Sequence, residues 1–296
     1  MRDDARPGFR ALLLAAGLLL AGATSLPAQS AEWYELSSRR QVDSVTSLEA
    51  DMEYAVGRLE VAPADEGLLY RMDLRYDARR FEPARDWTTR DGTGRLAFQL
   101  RAEDGDMDLD DFDDVDSDEM GSLRLGLSTE VPTRLSLGVM AAEADLELGG
   151  VALERFVFRT GASEAAIDFD RPNPVRMDRL ELAAGAADFE ANGLGNARFE
   201  HFEFVGAVGD VRLDFRGEWS ESAEGEIRMG LGALHLVFPR DIGVRIEKRG
   251  ILASFDSAGF EQVDDVYQTE NWGAAAQRLT LSVRAGFGDI DVDFVD

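Results

Sequence analysis

Cysteine is absent from this 296-residue chain, lysine occurs once, as Lys248, and histidine twice, as His201 and His235. Without cysteine there is neither a disulfide nor a thiol nucleophile, so stability must come from burial and strand pairing. Two isolated histidines fall short of the three or four ligands a zinc site wants. A G-x-S-x-G elbow, a Walker loop and an H-E-x-x-H helix are all missing, which removes the common hydrolase, nucleotide and zinc-protease signatures. Basic residues are outnumbered, 31 against 58 acidic ones. Such a chain repels phosphate backbones and anionic lipid, and nucleic acid is excluded as a partner.

Long apolar runs are also scarce, with one exception at the start. Arg2, Arg6 and Arg10 precede the small and apolar run Ala11 to Ala23, and Ala28-Gln29-Ser30 offers a small-x-small site before Ala31. That order is the one of a secretory signal peptide over residues 1–30. The alternative is a retained anchor, but the run is shorter than the roughly 20 residues that span a bilayer as a helix. The expected product is exported, periplasmic or at the cell surface, with a net charge of −28 and no transmembrane segment after cleavage.

What is present is alternation. From about Leu135 onward apolar and charged residues alternate with glycine punctuation, as in Phe156-Val157-Phe158, Leu180-Glu181-Leu182 and Phe202-Glu203-Phe204. Period two puts Leu, Phe and Val on a buried face and Asp, Glu and Arg on a wet one. Gly138, Gly161, Gly185, Gly206 and Gly232 follow these pairs at intervals of 23, 24, 21 and 26 residues. We read them as turns between strands of five to seven residues, recurring in a stack whose units cover one another. An evenly spaced antiparallel sandwich fits the same spacing. Residues 31–132 are β in character without the clear repeat, and Met52 to Val61 looks like a hairpin around Gly57. The expected fold is all-β: stacked short strands forming a solenoid-like repeat with little helix beyond the leader. Its parts are an N-terminal region 31–132, glycine-punctuated repeats 133–240 and a C-terminal region 241–296.

The stretches LEADMEYAVGRLEVAP, DGTGRLAFQL and LRLGLSTEVPTRLSLGV resemble the N-terminal domain of toast-rack proteins of the bacterial envelope. The stretch from Gly243 to Val292, with Tyr267, the pair Asn271-Trp272 and the turn Gly286-Phe287-Gly288, resembles the LiaF-like domain of cell-wall-active antibiotic response proteins. The resemblance implies a toast-rack architecture, 133–296 being LiaF-like, and a role in sensing or responding to envelope stress, or as a scaffold or adhesin. It implies Asn271-Trp272 as a structural pair and carries over no reactive residue.

The sharpest local anomaly is Glu103 to Glu119, with 11 acids in 17 residues and no base. Alternate acids at Asp104, Asp106, Asp108 and Asp110 invite weak calcium binding at this loop. The calcium-loop template fails, because Leu109 stands where glycine is needed and Val115 where a bidentate Glu is needed. The bland reading is a solvated acidic loop. Paired carboxylates leave an envelope polysaccharide hydrolase as the alternative activity, but 58 acids single out none. A membrane barrel is disfavoured by strands of the expected length, since spanning strands need about 9–11 residues. The sequence therefore assigns no catalytic, cofactor-binding or metal residue and no cofactor. It points to a non-catalytic module whose partner is an envelope protein or a cell-wall component.

Overall fold

The computed structural model describes residues 31–102, 121–249, 252–255 and 258–296. The leader 1–30 and the acidic stretch 103–119 lie outside the described residues. The chain from Ala31 to Asp296 forms one unit. Sixteen strands run in chain order: β1 (Trp33–Gln41), β2 (Ser47–Pro63), β3 (Leu68–Asp77), β4 (Phe81–Arg90), β5 (Thr93–Ala102), β6 (Ser122–Leu127), β7 (Thr133–Glu147), β8 (Leu153–Asp168), β9 (Met177–Asn192), β10 (Phe199–Asp214), β11 (Ala223–Pro239), β12 (Gly243–Arg249), β13 (Leu252–Phe255), β14 (Phe260–Val263), β15 (Val266–Thr269) and β16 (Arg278–Val295). The sheet is open, its path running β1-β3-β6-β2-β7-β8-β9-β10-β11-β16-β12-β15-β14.

The stack is present and all-β, but its glycines do a different job from the one expected. Strands β7 to β11 are 15 to 17 residues long and pair in parallel, and each glycine of the sequence repeat lies inside one of them. Gly57 likewise lies inside β2, a single strand of 17 residues rather than a hairpin. A straight 15-residue strand would be about 50 Å long at about 3.3 Å per residue. Yet residues 148–152 alone carry the chain from the end of β7 to Leu153, which pairs with Thr133 at the start of β7. Five residues reach at most about 20 Å, so the strand must fold back on itself midway. Each long strand is thus one bent rung with two arms.

Burial records the bend. In β7 the odd positions Leu135, Leu137 and Val139 are buried, and beyond Met140 the even positions Ala142, Ala144 and Leu146 take over. The same one-residue slip occurs in β9, between Ala184 and Ala187. Inward side chains of the two arms interleave: Phe158 of a first arm meets Phe189 of a second arm at 6.3 Å, and Phe189 meets Phe204 of the next first arm at 5.2 Å. The result is a two-layer core that runs without a break from Val45 to Val292.

At the bends of β8, β9, β11 and β16 the backbone comes too close to the preceding rung to admit a Cβ. At Gly161, Gly185, Gly230 and Gly286 an added Cβ would stand 2.6, 2.5, 2.3 and 2.6 Å from a bend carbonyl oxygen of the preceding rung. Two residues further on, Gly209, Gly232 and Gly288 pair across β10, β11 and β16, with φ of +138°, +132° and +130°. A Cβ there would lie within 1.9 Å of a carbonyl oxygen. L side chains rarely adopt that backbone conformation.

The end rungs are split at the bend. β5 and β6 pair in parallel with the first and second arms of β2. At the other end β12 and β13 pair in parallel with the two arms of β16. Antiparallel strands finish each end, β4 on β5 and β1 on β3 at one, β14 on β15 at the other. Arg85 donating to Ser38 and Arg40 lying 4.1 Å over the Trp87 ring tie β4 to β1.

Gly232→Ala should destabilise the fold by about 2–4 kcal/mol through left-handed strain and overpacking. Gly138→Ala should stay within about 1 kcal/mol of wild type, because the nearest atom to its added Cβ is 3.9 Å away and its φ is ordinary. Urea unfolding midpoints of the two variants check this contrast.

Candidate functional site

The two arms present polar faces of opposite character. On the first-arm face arginines and glutamates alternate by column. Glu181 sits 2.6 Å from Arg155, 3.3 Å from Arg159 and 3.6 Å from Arg179. Glu203 pairs with Arg228, and Arg284 reaches Glu226 at 3.8 Å. Each such exposed pair is worth little alone, but together they help to hold neighbouring rungs in register.

The second-arm face is acidic. Glu143, Glu164 and Asp188 stand directly opposite one another on β7, β8 and β9. Asp289 and Asp291 continue the acidic face on β16, and the bases between them are Arg212 and His235. Burial, then the charges of Asp170, Glu147, Glu190 and Asp214, raise the pKa of Asp168 above the ordinary aspartate value.

Both histidines fall on polar faces, as the alternation implied, and both rings have polar partners. The Arg212 guanidinium, which has only donors, donates to His235 Nδ1 at 2.6 Å, so Nε2 carries the hydrogen and donates to Asp293 Oδ2 at 2.8 Å. His201 Nδ1 lies 3.0 Å from Glu224. The two histidines sit on opposite arms, His201 beside Glu224 and His235 beside Arg212, so they do not meet. Among the described residues no group of three His, Asp or Glu side chains is arranged to hold a metal ion. The calcium expectation rests on Asp104, Asp106, Asp108 and Asp110, outside the described residues.

The tryptophans are engaged by their own chain. Trp33 lies under Arg75 at 3.7 Å, Trp87 packs on Tyr70 at 5.6 Å, and Trp219 packs edge-on against Phe199. Trp219 Nε1 also donates to the Phe215 carbonyl at 2.8 Å. Trp272 packs against Gly243, while Asn271 Nδ2 donates to the carbonyls of Arg240 and Ile242.

The polar residues with the most demanding environments are turn anchors that the sequence reading passed over. Asn173 is fully buried: its Oδ1 accepts from the N–H groups of Leu153 and Val175, and its Nδ2 donates to the carbonyls of Leu153 and Ala197. Asn196 bonds the Phe169 carbonyl and the Glu218 N–H in the next return loop. Asp214, also buried, is gripped by Arg216 through its guanidinium and its backbone N–H. The interval of 23 residues between Asn173 and Asn196 matches the repeat, and that was the available signal. Tyr54 carries a buried hydroxyl without a partner, and burial pushes its pKa up.

Residues 29–178 match the family described as the N-terminal domain of toast_rack, DUF2154, and the chain belongs to that family. The match takes in the continuous rungs β2, β7 and β8. Among curated proteins no sequence matches. Solved structures similar to the chain include a candidate cell-adhesion protein from Clostridium sporogenes, at 16% identity and a TM-score of 0.47, covering 89% of this chain and 100% of that one. A candidate adhesin from Bacteroides fragilis is 11% identical with a TM-score of 0.28, over 88% and 97% of the two chains. A candidate lipid-binding protein from Parabacteroides distasonis is 9% identical with a TM-score of 0.27, again over 88% and 97%. Among the described residues no helix is long and apolar enough to cross a membrane.

Two outcomes follow from the polar network. A raised carboxyl pKa means the folded state holds the proton more tightly than the unfolded chain, so that stability is full at low pH and is lost as pH rises through the folded pKa. Asp168→Asn should therefore raise the unfolding midpoint at pH 7, and the gain should vanish below the ordinary aspartate value of 3.8. Asn173→Ala should cost about 2–4 kcal/mol in urea unfolding, since it leaves several buried backbone groups unpaired.

Proposed function

We propose that the mature chain is an exported, non-catalytic protein of the cell envelope. It acts as a toast-rack scaffold whose long sheet is an adhesin-like or stress-response binding surface. The observation that carries this reading is the use to which the polar side chains are put. Glu181, Glu203 and Glu226 are bound into arginine ladders, His235 is closed by Arg212 and Asp293, and Asn173 and Asn196 are spent on turns. Groups that hold a repeat together in this way are unavailable as acids, bases or nucleophiles. Membership of the toast-rack family supports the envelope setting, and the leader over residues 1–30 supports export. The partner class is an envelope protein or a cell-wall component, engaged through surface rather than through a reactive centre.

The test is affinity capture of the tagged mature chain from intact envelope, with and without cell-wall antibiotics. A specific envelope partner in both states supports the scaffold, and one recovered only under antibiotic supports the stress-response role. Recovery of no envelope component in either state, or release of sugars from envelope glycan by the purified chain, overturns the proposal.

A further inference from the structure

The bent edge of the stack carries an apolar column that nothing within the described residues covers. Val208, Leu231 and Phe287 are register partners on β10, β11 and β16. They are 50%, 51% and 58% exposed, and among the described residues the other exposed large apolar side chains are Tyr34, Met140 and Val205. The column continues on the preceding rungs as Ala186, Ala162 and Ala141. Adjacent exposed apolar side chains in a ladder mark an interaction surface more strongly than scattered ones do.

The flanks of this ridge differ in sign. On the first-arm side the charged residues next to the bend are Arg159, Arg228, Arg284 and Arg249, the last three in register on adjacent strands, with Ala183 and Val205 standing between Arg159 and Arg228. On the second-arm side they are Glu143, Glu164, Asp188, Asp210 and Asp289. Glu164, Asp188 and Asp210 have no basic partner among the described residues, and like charges directly opposite on neighbouring strands repel. The edge is thus an apolar ridge between a basic rail and an acidic rail.

We propose that this edge associates with the same edge of a second copy of the chain, side by side and in the same direction. Symmetry and charge select that arrangement. A twofold axis parallel to the ridge sets Val208, Leu231 and Phe287 each against its own counterpart and brings the basic rail of one copy over the acidic rail of the other. Arg284 then faces Asp289 of the second copy, and Arg228 lies between Asp210 and Asp289 of that copy. A twofold axis across the ridge would instead stack arginine on arginine and carboxylate on carboxylate. A contact of a few rungs, at about 4.8 Å per rung, buries on the order of 300 Å² per copy. That is well below the roughly 800 Å² of a standard interface, so the association is weak, reversible and driven by local concentration.

The absence of native cysteine makes the geometry directly testable. Val208→Cys, Leu231→Cys and Phe287→Cys are single changes at half-exposed positions, with Glu190→Cys on the acidic face as a control away from the edge. Under a mild copper–phenanthroline oxidant, with folding checked by unfolding midpoints, all three edge variants should form disulfide dimers at least tenfold faster than the control. Adding Arg284→Asp to Leu231→Cys should slow the cross-link several-fold, and further addition of Asp289→Arg should restore it. Edge variants that cross-link no faster than the control overturn the proposal, whatever other partner the ridge serves. Cross-linking at one edge position alone overturns the parallel arrangement, as does a charge reversal without effect.

Discussion

The structure depends on one close approach: at the bends of β8 to β11 and β16 the backbone of one rung lies against the carbonyl oxygens of the rung before it. Strand pairing fixes the rungs about 4.8 Å apart, and a chain that folds back within a strand has no room for a Cβ on the inside of its corner. Gly209, Gly232 and Gly288 meet that demand in consecutive rungs, with left-handed φ and a neighbouring carbonyl less than 2 Å from where a side chain would begin. The two-layer core, the aromatic interleaving of Phe158, Phe189 and Phe204, and the contrast between the polar faces all follow from strands that double back at this line. Where the sequence replaces glycine at the bend, as at Ala207 or Met140, the residue is exposed and the next rung supplies the glycine.

The two ends of the stack solve a shared problem in a shared way. An unfinished rung exposes a row of backbone donors and acceptors that invites pairing. Here the last rung at each end is cut at the bend into two short strands, and antiparallel strands with charged or irregular edges lie beyond them. Pro83 in β4, together with Arg85 and Arg90, keeps that edge from accepting another strand with ease. Between the ends, return loops of a few residues are pinned by the buried Asn173 and the half-buried Asn196, whose side chains complete hydrogen bonds that turning backbone cannot make for itself.

Much of this was legible from residues alone. Alternation such as Phe202-Glu203-Phe204 located the strands and their wet faces, and the spacing of the glycines signalled a stack. What those glycines do was not legible, because a bend inside a strand and a turn between strands both ask for glycine. The five glycines read as one series in fact occupy several register positions: Gly138 on the polar face, Gly161 and Gly185 at the bend, Gly206 facing inward beside Met229, and Gly232 beyond the bend. The decisive sign was the one-residue slip in apolar phase, as between Val139 and Ala142, which a reading for strict alternation treats as the end of a strand. The histidines were placed correctly on polar faces, because phase alone fixes that. The closure of His235 by Arg212 and Asp293 depends on neighbours 23 and 58 residues away, which periodicity does not identify.

The position of β16 bears on how the molecule is completed. It lies between β11 and the split rung formed by β12 and β13, although it follows both in sequence. The chain therefore leaves a slot one rung wide, builds the far side of it, turns through β14 and β15, and inserts its last strand into the gap. Parallel neighbours cannot meet across that slot until the final eighteen-residue strand exists. A chain in which β16 has yet to pair is thus held open at this slot, and closure waits for that strand. Until β16 is paired, β11 and the split rung of β12 and β13 keep two open edges facing each other, the form most exposed to proteases and to adventitious strand partners.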